Sequence, residues 1–433
     1  MDFVIMNDSD IPPEILVAIV MHCVQDTIAI PPHLTEPPWT LLRVSSRWRS
    51  LVLATPAIWC RLGFDLRGLI DPAPRIALGR ELLQFSGSLP LSISNTVNIM
   101  ETAMFDTSAT YVQDFLVPVS VSSRLQSLHF HGGAESLEPF LALPAGSLPL
   151  LEDLEIIVNK RALQRDLWSS EATAFQGATR LRKVMVRGLY QSINPNLFRF
   201  PWDQLRDFHL RSSYASADHL RGFLPHCTNL TSLTIGVSGT THSRIPITLP
   251  TLTSLDIKIE TLVACILLQV DCPNLEYLTL RMAINFWDVG PFKVFARRCC
   301  NHVKGLGLFF MISSADEVGP MISQVLSELS SLDAPITDLK LICPRLTSIP
   351  FTQLSQHILP TLQYFTSIVN SFDLADAFLD TVQELKPAHA VMIPTCGLRP
   401  VHYGRIGDLV RDGLRVEVSS VSSEWEAPVR WFV

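Results

Sequence analysis

One spacing recurs through most of this chain: an apolar residue, two variable positions, a second apolar residue, one variable position and a third. It occurs at Leu125-Leu128-Phe130, Leu151-Leu154-Ile156, Leu181-Val184-Val186, Leu205-Phe208-Leu210 and Leu230-Leu233-Ile235. It continues at Leu252-Leu255-Ile257, Leu275-Leu278-Leu280, Val303-Leu306-Leu308, Ile336-Leu339-Leu341 and, decayed, Leu362-Phe365. Start-to-start intervals run from 22 to 33 residues. Side chains alternate along a β-strand, so the second and third apolar residues share one face. A single strand cannot cover that face, and the next copy must do so. The spacing therefore predicts a stack of repeated units.

Helical patterns fall between the strands at 134–143, 162–175, 217–224, 260–270, 291–298, 316–332 and 374–385. Strand and helix alternating predicts an α/β solenoid with a curved parallel sheet inside and helices outside. The repeat resembles the leucine-rich repeat. Chains of this class rarely do chemistry; they present one long concave surface to a partner. Leu414-Val416-Val418 reads as a closing strand, with the Ser-rich 419–426 as its cap.

The amino-terminal region differs. The pattern predicts a helical domain over 8–62, a docking linker and helix over 63–86, the solenoid over 87–420 and a tail over 421–433. Asp10 is placed to cap a first helix whose opening turn tolerates Pro12 and Pro13. Pro31, Pro32, Pro37 and Pro38 predict a loop. A second short helix is expected over 39–44 and a third over 47–54, capped by Ser45 or Ser46 and ended at Thr55-Pro56.

Within this region Ile11-Pro12-Pro13-Glu14-Ile15-Leu16, then Leu41-Leu42-Arg43-Val44-Ser45-Ser46-Arg47-Trp48-Arg49-Ser50-Leu51, then Thr55-Pro56-Ala57-Ile58-Trp59, resemble an F-box. The order is similar to the large fungal set of F-box proteins with divergent leucine-rich repeats. Ile11 stands where that family usually has Leu, and the 24–38 segment is longer than in compact members. The resemblance implies a three-helix cluster that docks on a Skp-type adaptor and through it a cullin. Ile11, Pro12, Ile15, Leu16, Ile19, Leu42, Val44, Trp48 and Leu51 would make that contact. It also implies a substrate receptor for ubiquitin-dependent degradation, with the repeats holding the target and a monomer outside the complex. A different assignment of the same residues is a scaffold whose helical cluster only caps the solenoid.

Six residues after each first apolar position the chain reads His131, Ile157, Arg187, Arg211, Gly236, Lys258, Arg281, Phe309 and Ile342. Arg187, Arg211, Lys258 and Arg281 put a cation at one equivalent site in four of five successive repeats. Strands lie about 4.8 Å apart, so the stripe would run on the order of 20 Å. Arginine forks suit phosphate, which points to an acidic or phosphorylated target. Glu155, Asp207 and Asp256 lie on the same face and equally suit ordinary neutralising pairs. Further along, Tyr277, Phe309, Ile342 and Tyr364 make the face bulky and apolar, either for recognition or for burial.

The formal charge of −7 argues against a general nucleic-acid binder. The first ten residues lack a basic region ahead of an apolar run, and no apolar run approaches membrane-spanning length. Nine cysteines without a framework spacing suit a reducing compartment, cytoplasmic or nuclear. Cys299-Cys300-x-His302 lacks the partners of a four-ligand zinc site. No nucleophile elbow, dinucleotide fingerprint or phosphate loop is present. The sequence thus predicts no metal, no cofactor and no catalytic activity. Cys227, Cys272 and Cys300 each precede a repeat's first apolar residue by three positions, which predicts a small buried residue at the turn into the strand.

Overall fold

A computed structural model describes residues 11–24, 27–67, 69, 71–97, 107–159, 172–188, 198–212, 217–237, 247–259, 264–282, 289–310, 315–343, 354, 359–395 and 398–419. Its contacts divide the chain into two compact units, residues 1–191 with 195–204, and 192–194 with 205–433.

In chain order the first unit contains α1 (Pro13–Cys23), β1 (Ile28–Ile30), α2 (Ser46–Leu53), β2 (Arg61–Asp65), α3 (Ala73–Phe85) and β3 (Leu91–Thr96). Then come α4 (Thr107–Tyr111), α5 (Val119–Ser122), β4 (Leu125–Gly133), α6 (Ala134–Leu141), β5 (Asp153–Asn159) and β6 (Lys183–Gly188). Its strands pair in parallel, each with the next in sequence.

The sheet begins earlier than the repeat spacing predicts. Ile28–Ile30, inside the expected loop, pairs with Leu62, Gly63 and Phe64. Neither short strand carries the full repeat phrase, so nothing in the spacing marked them. Of the expected short helices, the one over 39–44 is a single 3-10 turn, Leu41–Arg43. The expected cap holds for α2, where the Trp48 amide donates to Ser45 Oγ at 3.3 Å. Asp10 lies outside the described residues, as does most of the 162–175 helix.

The second unit contains β7 (Asp207–Ser212), α7 (Ala217–Phe223), β8 (Ser232–Val237), β9 (Ile247–Thr248), β10 (Ser254–Ile259), α8 (Ala264–Gln269) and β11 (Val270–Asp271). It continues with β12 (Tyr277–Met282), α9 (Val289–Cys299), β13 (Gly305–Phe310), α10 (Ala315–Ser330), β14 (Asp338–Ile342) and β15 (Tyr364–Val369). It ends with α11 (Phe372–Leu385), β16 (His389–Pro394), α12 (Pro400–Arg411) and β17 (Arg415–Val418). Strands β7, β8, β10 and β12 to β17 pair in that order, all parallel. The short β9 and β11 pair separately.

Register is shared from repeat to repeat. Leu233, Leu255, Leu278, Leu306, Leu339 and Phe365 lie side by side. All six are at most 1% exposed. Ring contacts show that this face meets the helices: Phe208 of β7 against Phe223 of α7 at 5.1 Å, and Phe365 of β15 against Phe378 of α11 at 5.2 Å. The alternating residues therefore project from the opposite face.

Two hydrogen-bond patterns set this register. At successive strand entries from β12 to β14 two neighbouring amides donate to one carbonyl of the preceding repeat: Glu276 and Tyr277 to Thr253, Lys304 and Gly305 to Glu276, Thr337 and Asp338 to Lys304. In most repeats the amide of the first apolar residue closes a turn onto the carbonyl three positions back, as from Leu230 to Cys227, Leu275 to Cys272 and Val303 to Cys300. These cysteines are at most 1% exposed, as the recurrence predicted. Leu148, Ala178 and Leu249 fill the same role elsewhere, so the turn requires an apolar residue that fits beneath the strand, not a thiol.

Replacing Leu255, which is 1% exposed, by Ala should destabilise the protein by about 2–5 kcal/mol in denaturant unfolding. A change below about 0.5 kcal/mol would mean that the site is not packed as described.

Candidate functional site

At the amino terminus, Pro12 and Pro13 open α1 where amides have no intrahelical partner to lose. Leu16 and Val20 face inward and are fully buried. Trp59, also fully buried, donates from Nε1 to the Val52 carbonyl at 3.0 Å and packs edge-on to Trp39 at 6.0 Å. Its other neighbour is Phe85 of α3, at 5.4 Å. Arg47 donates to the Ile11 carbonyl, and Arg49 Nε donates to that of Leu42 at 3.0 Å. These bonds tie the start of α1 and the 3-10 turn to α2.

The expected adaptor residues separate into three groups. Ile15, Ile19 and Val44 are open to solvent at 52%, 39% and 60%, and Pro12 is exposed too. Ile11, Leu42, Trp48 and Leu51 are half-buried. Leu16 departs from the expectation: it is sealed inside the cluster and holds α1 in place, so its side chain has no surface to offer. Ile15 and Ile19 lie four residues apart, hence one above the other on one helical face.

On the sheet face away from the helices, the first unit is polar. His129 lies between two carboxylates, with Nδ1 3.3 Å from Glu155 and Nε2 3.9 Å from Asp153. Asp153 also receives Lys183 Nζ at 2.9 Å. His131 is half-buried, and its backbone is bracketed by Asn95, whose Oδ1 accepts its amide and whose Nδ2 donates to its carbonyl. Burial lowers the His131 imidazole from its ordinary value against the pull of Glu155. Arg187 is half-buried beside Ile157 in the register of β5 and β6.

In the second unit Lys258 and Arg281 are in register, with Gly236 on the other side of Lys258. Arg281 is not the free cation that the stripe required. Its Nε donates to Asp256 Oδ1 and its Nη2 to Oδ2, both at 2.8 Å. The guanidinium also lies 4.5 Å from the centroid of Phe309. Both charged side chains are nearly buried, at 13% and 8% exposed. The neutralising alternative therefore holds at this position, and a phosphate-reading arginine here is corrected to a structural one. The side chain of Arg211 lies outside those described. Phe309 is 8% exposed and packs with Ile342 and Ile368, with Ile393 beside them, so it belongs to a small apolar cluster more than to an open surface. Tyr277 is half-buried on this face.

Lys340 also sits on this face, on β14. Burial lowers its ammonium to about 8, opposed by attraction to Asp338. Sequence reasoning passed over it because the six-residue offset skips its row.

Among the described residues no group of three or more His, Cys, Asp or Glu side chains is placed to hold a metal. Cys299 and Cys300 are buried and His302 is exposed, so that sequence triplet does not converge. Among the described residues no helix is long and apolar enough to cross a membrane.

With the repeats on the page, the comparison with known families bears on them directly. Residues 142–331 match the family model described as FBD-associated F-box protein At5g56370, LRR repeats. Over these residues the chain is similar to an F-box-associated leucine-rich-repeat family. No curated protein matches the chain. The matched stretch contains β5 to β13 and most of the open-face residues above.

Asp256→Ala would strand the Arg281 guanidinium in a nearly buried place, and should cost about 3–5 kcal/mol in equilibrium unfolding. Lys340 yields a pH prediction. Its native pKa of about 8 lies below the ordinary 10.5, so between those values the unfolded chain binds more protons than the native one. Stability of the wild type relative to Lys340→Met should rise with pH across that window. A flat difference would mean that the ammonium is fully solvated.

Proposed function

We propose that the chain is the substrate-recognition subunit of a Skp–cullin–F-box ubiquitin ligase, acting without catalytic chemistry of its own in a reducing, cytoplasmic or nuclear compartment. The amino-terminal cluster docks a Skp-type adaptor, and the sheet face away from the helices holds the protein to be modified. The observation that carries the proposal is the exposed pair Ile15 and Ile19, with Val44, on a cluster whose interior is already filled by Leu16, Val20, Val52 and Trp59. A helical cluster serving only as a solenoid cap would bury that face. The repeats' similarity to an F-box-associated family supports the same assignment.

Burial of an isoleucine contributes roughly 1.5–3 kcal/mol gross, so two or three such contacts suffice to build the centre of an interface. Isopeptide chemistry would belong to other subunits of the assembly. The loss of Arg281 to Asp256 removes one support for an acidic or phosphorylated target, leaving target charge to other residues of the face.

Ile15→Asp together with Ile19→Asp should abolish co-purification with a Skp-type adaptor, because the interface would have to bury unpaired charge. Both positions are exposed in the free chain, so the thermal melt should be unchanged. Retained adaptor binding would refute the docking assignment.

A further inference from the structure

Strand β17 has one edge paired and one edge open. The Arg415 and Ser419 amides donate to the Ala388 and Met392 carbonyls, at 3.4 and 2.9 Å, and so join β17 to β16. Successive amides point to opposite edges of a strand, so those of Val416 and Val418 point away from β16. No described strand pairs with them there. Such an edge is a template for another strand.

The helix layer is open at the same end. Arg405 ties α12 to α11, donating to Asp376 at 2.9 Å and also to Asp380. At about 100° per residue, Tyr403 and Val410 share one side of α12, nearly opposite Arg405 and hence away from α11. They are 57% and 50% exposed, and Val418 of β17 is 40% exposed. An apolar strip therefore runs beside the open strand edge.

The charges of β17 indicate what this end fits. Arg415 and Glu417 are both exposed and flank Val416, two residues apart and so on one face of the strand. Arg415 makes no ion pair among the described residues. Glu417 lies 3.5 Å from His389 Nε2 and keeps 53% of its side chain exposed. Two antiparallel copies of β17, related by a two-fold axis at Val416, would set Arg415 of each opposite Glu417 of the other. The outward amide and carbonyl of Val416 would then meet their counterparts, and Val418 would meet Leu414. An axis normal to the sheet also keeps both helix layers on one side, so the strips of Tyr403 and Val410 approach each other.

We propose that a second copy of this chain joins the first edge to edge through β17, antiparallel about a two-fold axis at Val416. The sheet then continues from one copy into the other, and the interface closes at two copies because the same patch serves both. This differs from the monomer that the F-box resemblance implies outside the complex. It is independent of the receptor assignment, since the face of Ile15 and Ile19 takes no part.

Sedimentation equilibrium of the full-length protein under reducing conditions, from about 1 to 100 μM, reads the assembly. The wild type should pass from monomer to dimer as concentration rises. Arg415→Glu sets like charges opposite each other at both ends of the pair and should raise the dissociation constant about tenfold, as should Glu417→Arg. Combining the two exchanges restores the pairing and should recover the wild-type dimer. Val416→Pro removes an amide that the single copy leaves at the open edge, and should abolish the dimer. Should the proline variant fail to fold, the charge exchanges on exposed side chains give the reading. A wild type that stays monomeric throughout overturns the proposal, and a dimer appearing only after deletion of residues 420–433 would assign the edge to that segment instead. A dimer that neither single charge exchange weakens, or that the double exchange fails to restore, overturns it equally.

Discussion

Each strand in this protein depends on the next for the cover of its leucines and for the partners of its amides. The paired donation of two strand-entry amides to one carbonyl of the preceding repeat, as from Glu276 and Tyr277 to Thr253, leaves no freedom to slip by one residue. A one-residue slip would turn Leu255 and Ile257 outward and Asp256 and Lys258 inward. Everything on the opposite face follows from that register. Arg281 can grip Asp256 because the two stand on neighbouring strands and adjoining rows.

The two surfaces with functional character are built in opposite ways. At the amino terminus the interior is finished, with Leu16, Val20, Val52 and Trp59 sealed, and isoleucines remain outside. On the sheet face of the second unit the apolar residues are covered, and polar groups are buried with them: one oxygen of Asp338 without a hydrogen-bond partner, and beside it a lysine whose charge burial disfavours. An apolar face suits a permanent docking partner, while desolvated polar groups suit discrimination among targets, because a wrong group leaves them unpaired.

Much of the fold was legible because period-2 alternation and a repeat of fixed phrase are strong signals, and every strand centred on Leu128 through Leu339 lies where the phrase places it. The strands Ile28–Ile30, Arg61–Asp65 and His389–Pro394 were not, since they take their place by pairing with a neighbour and carry only fragments of the phrase. At the candidate sites the limit was different. A helical wheel puts Ile15, Leu16 and Ile19 near one another, and only packing against α2 decides that Leu16 turns inward. Likewise the cation spacing located Arg281 on the correct face, but pairing with Asp256 depends on two side chains from strands 25 residues apart in sequence.

The most direct test of the central claim is hydrogen exchange on the full-length wild-type protein, alone and mixed with a Skp-type adaptor under reducing conditions. The account predicts a complex in which protection rises over residues 13–23 and 41–44 while the amides of β7 to β17 exchange as before. Absence of a complex, or protection on the repeat strands with none over 13–23, would contradict it.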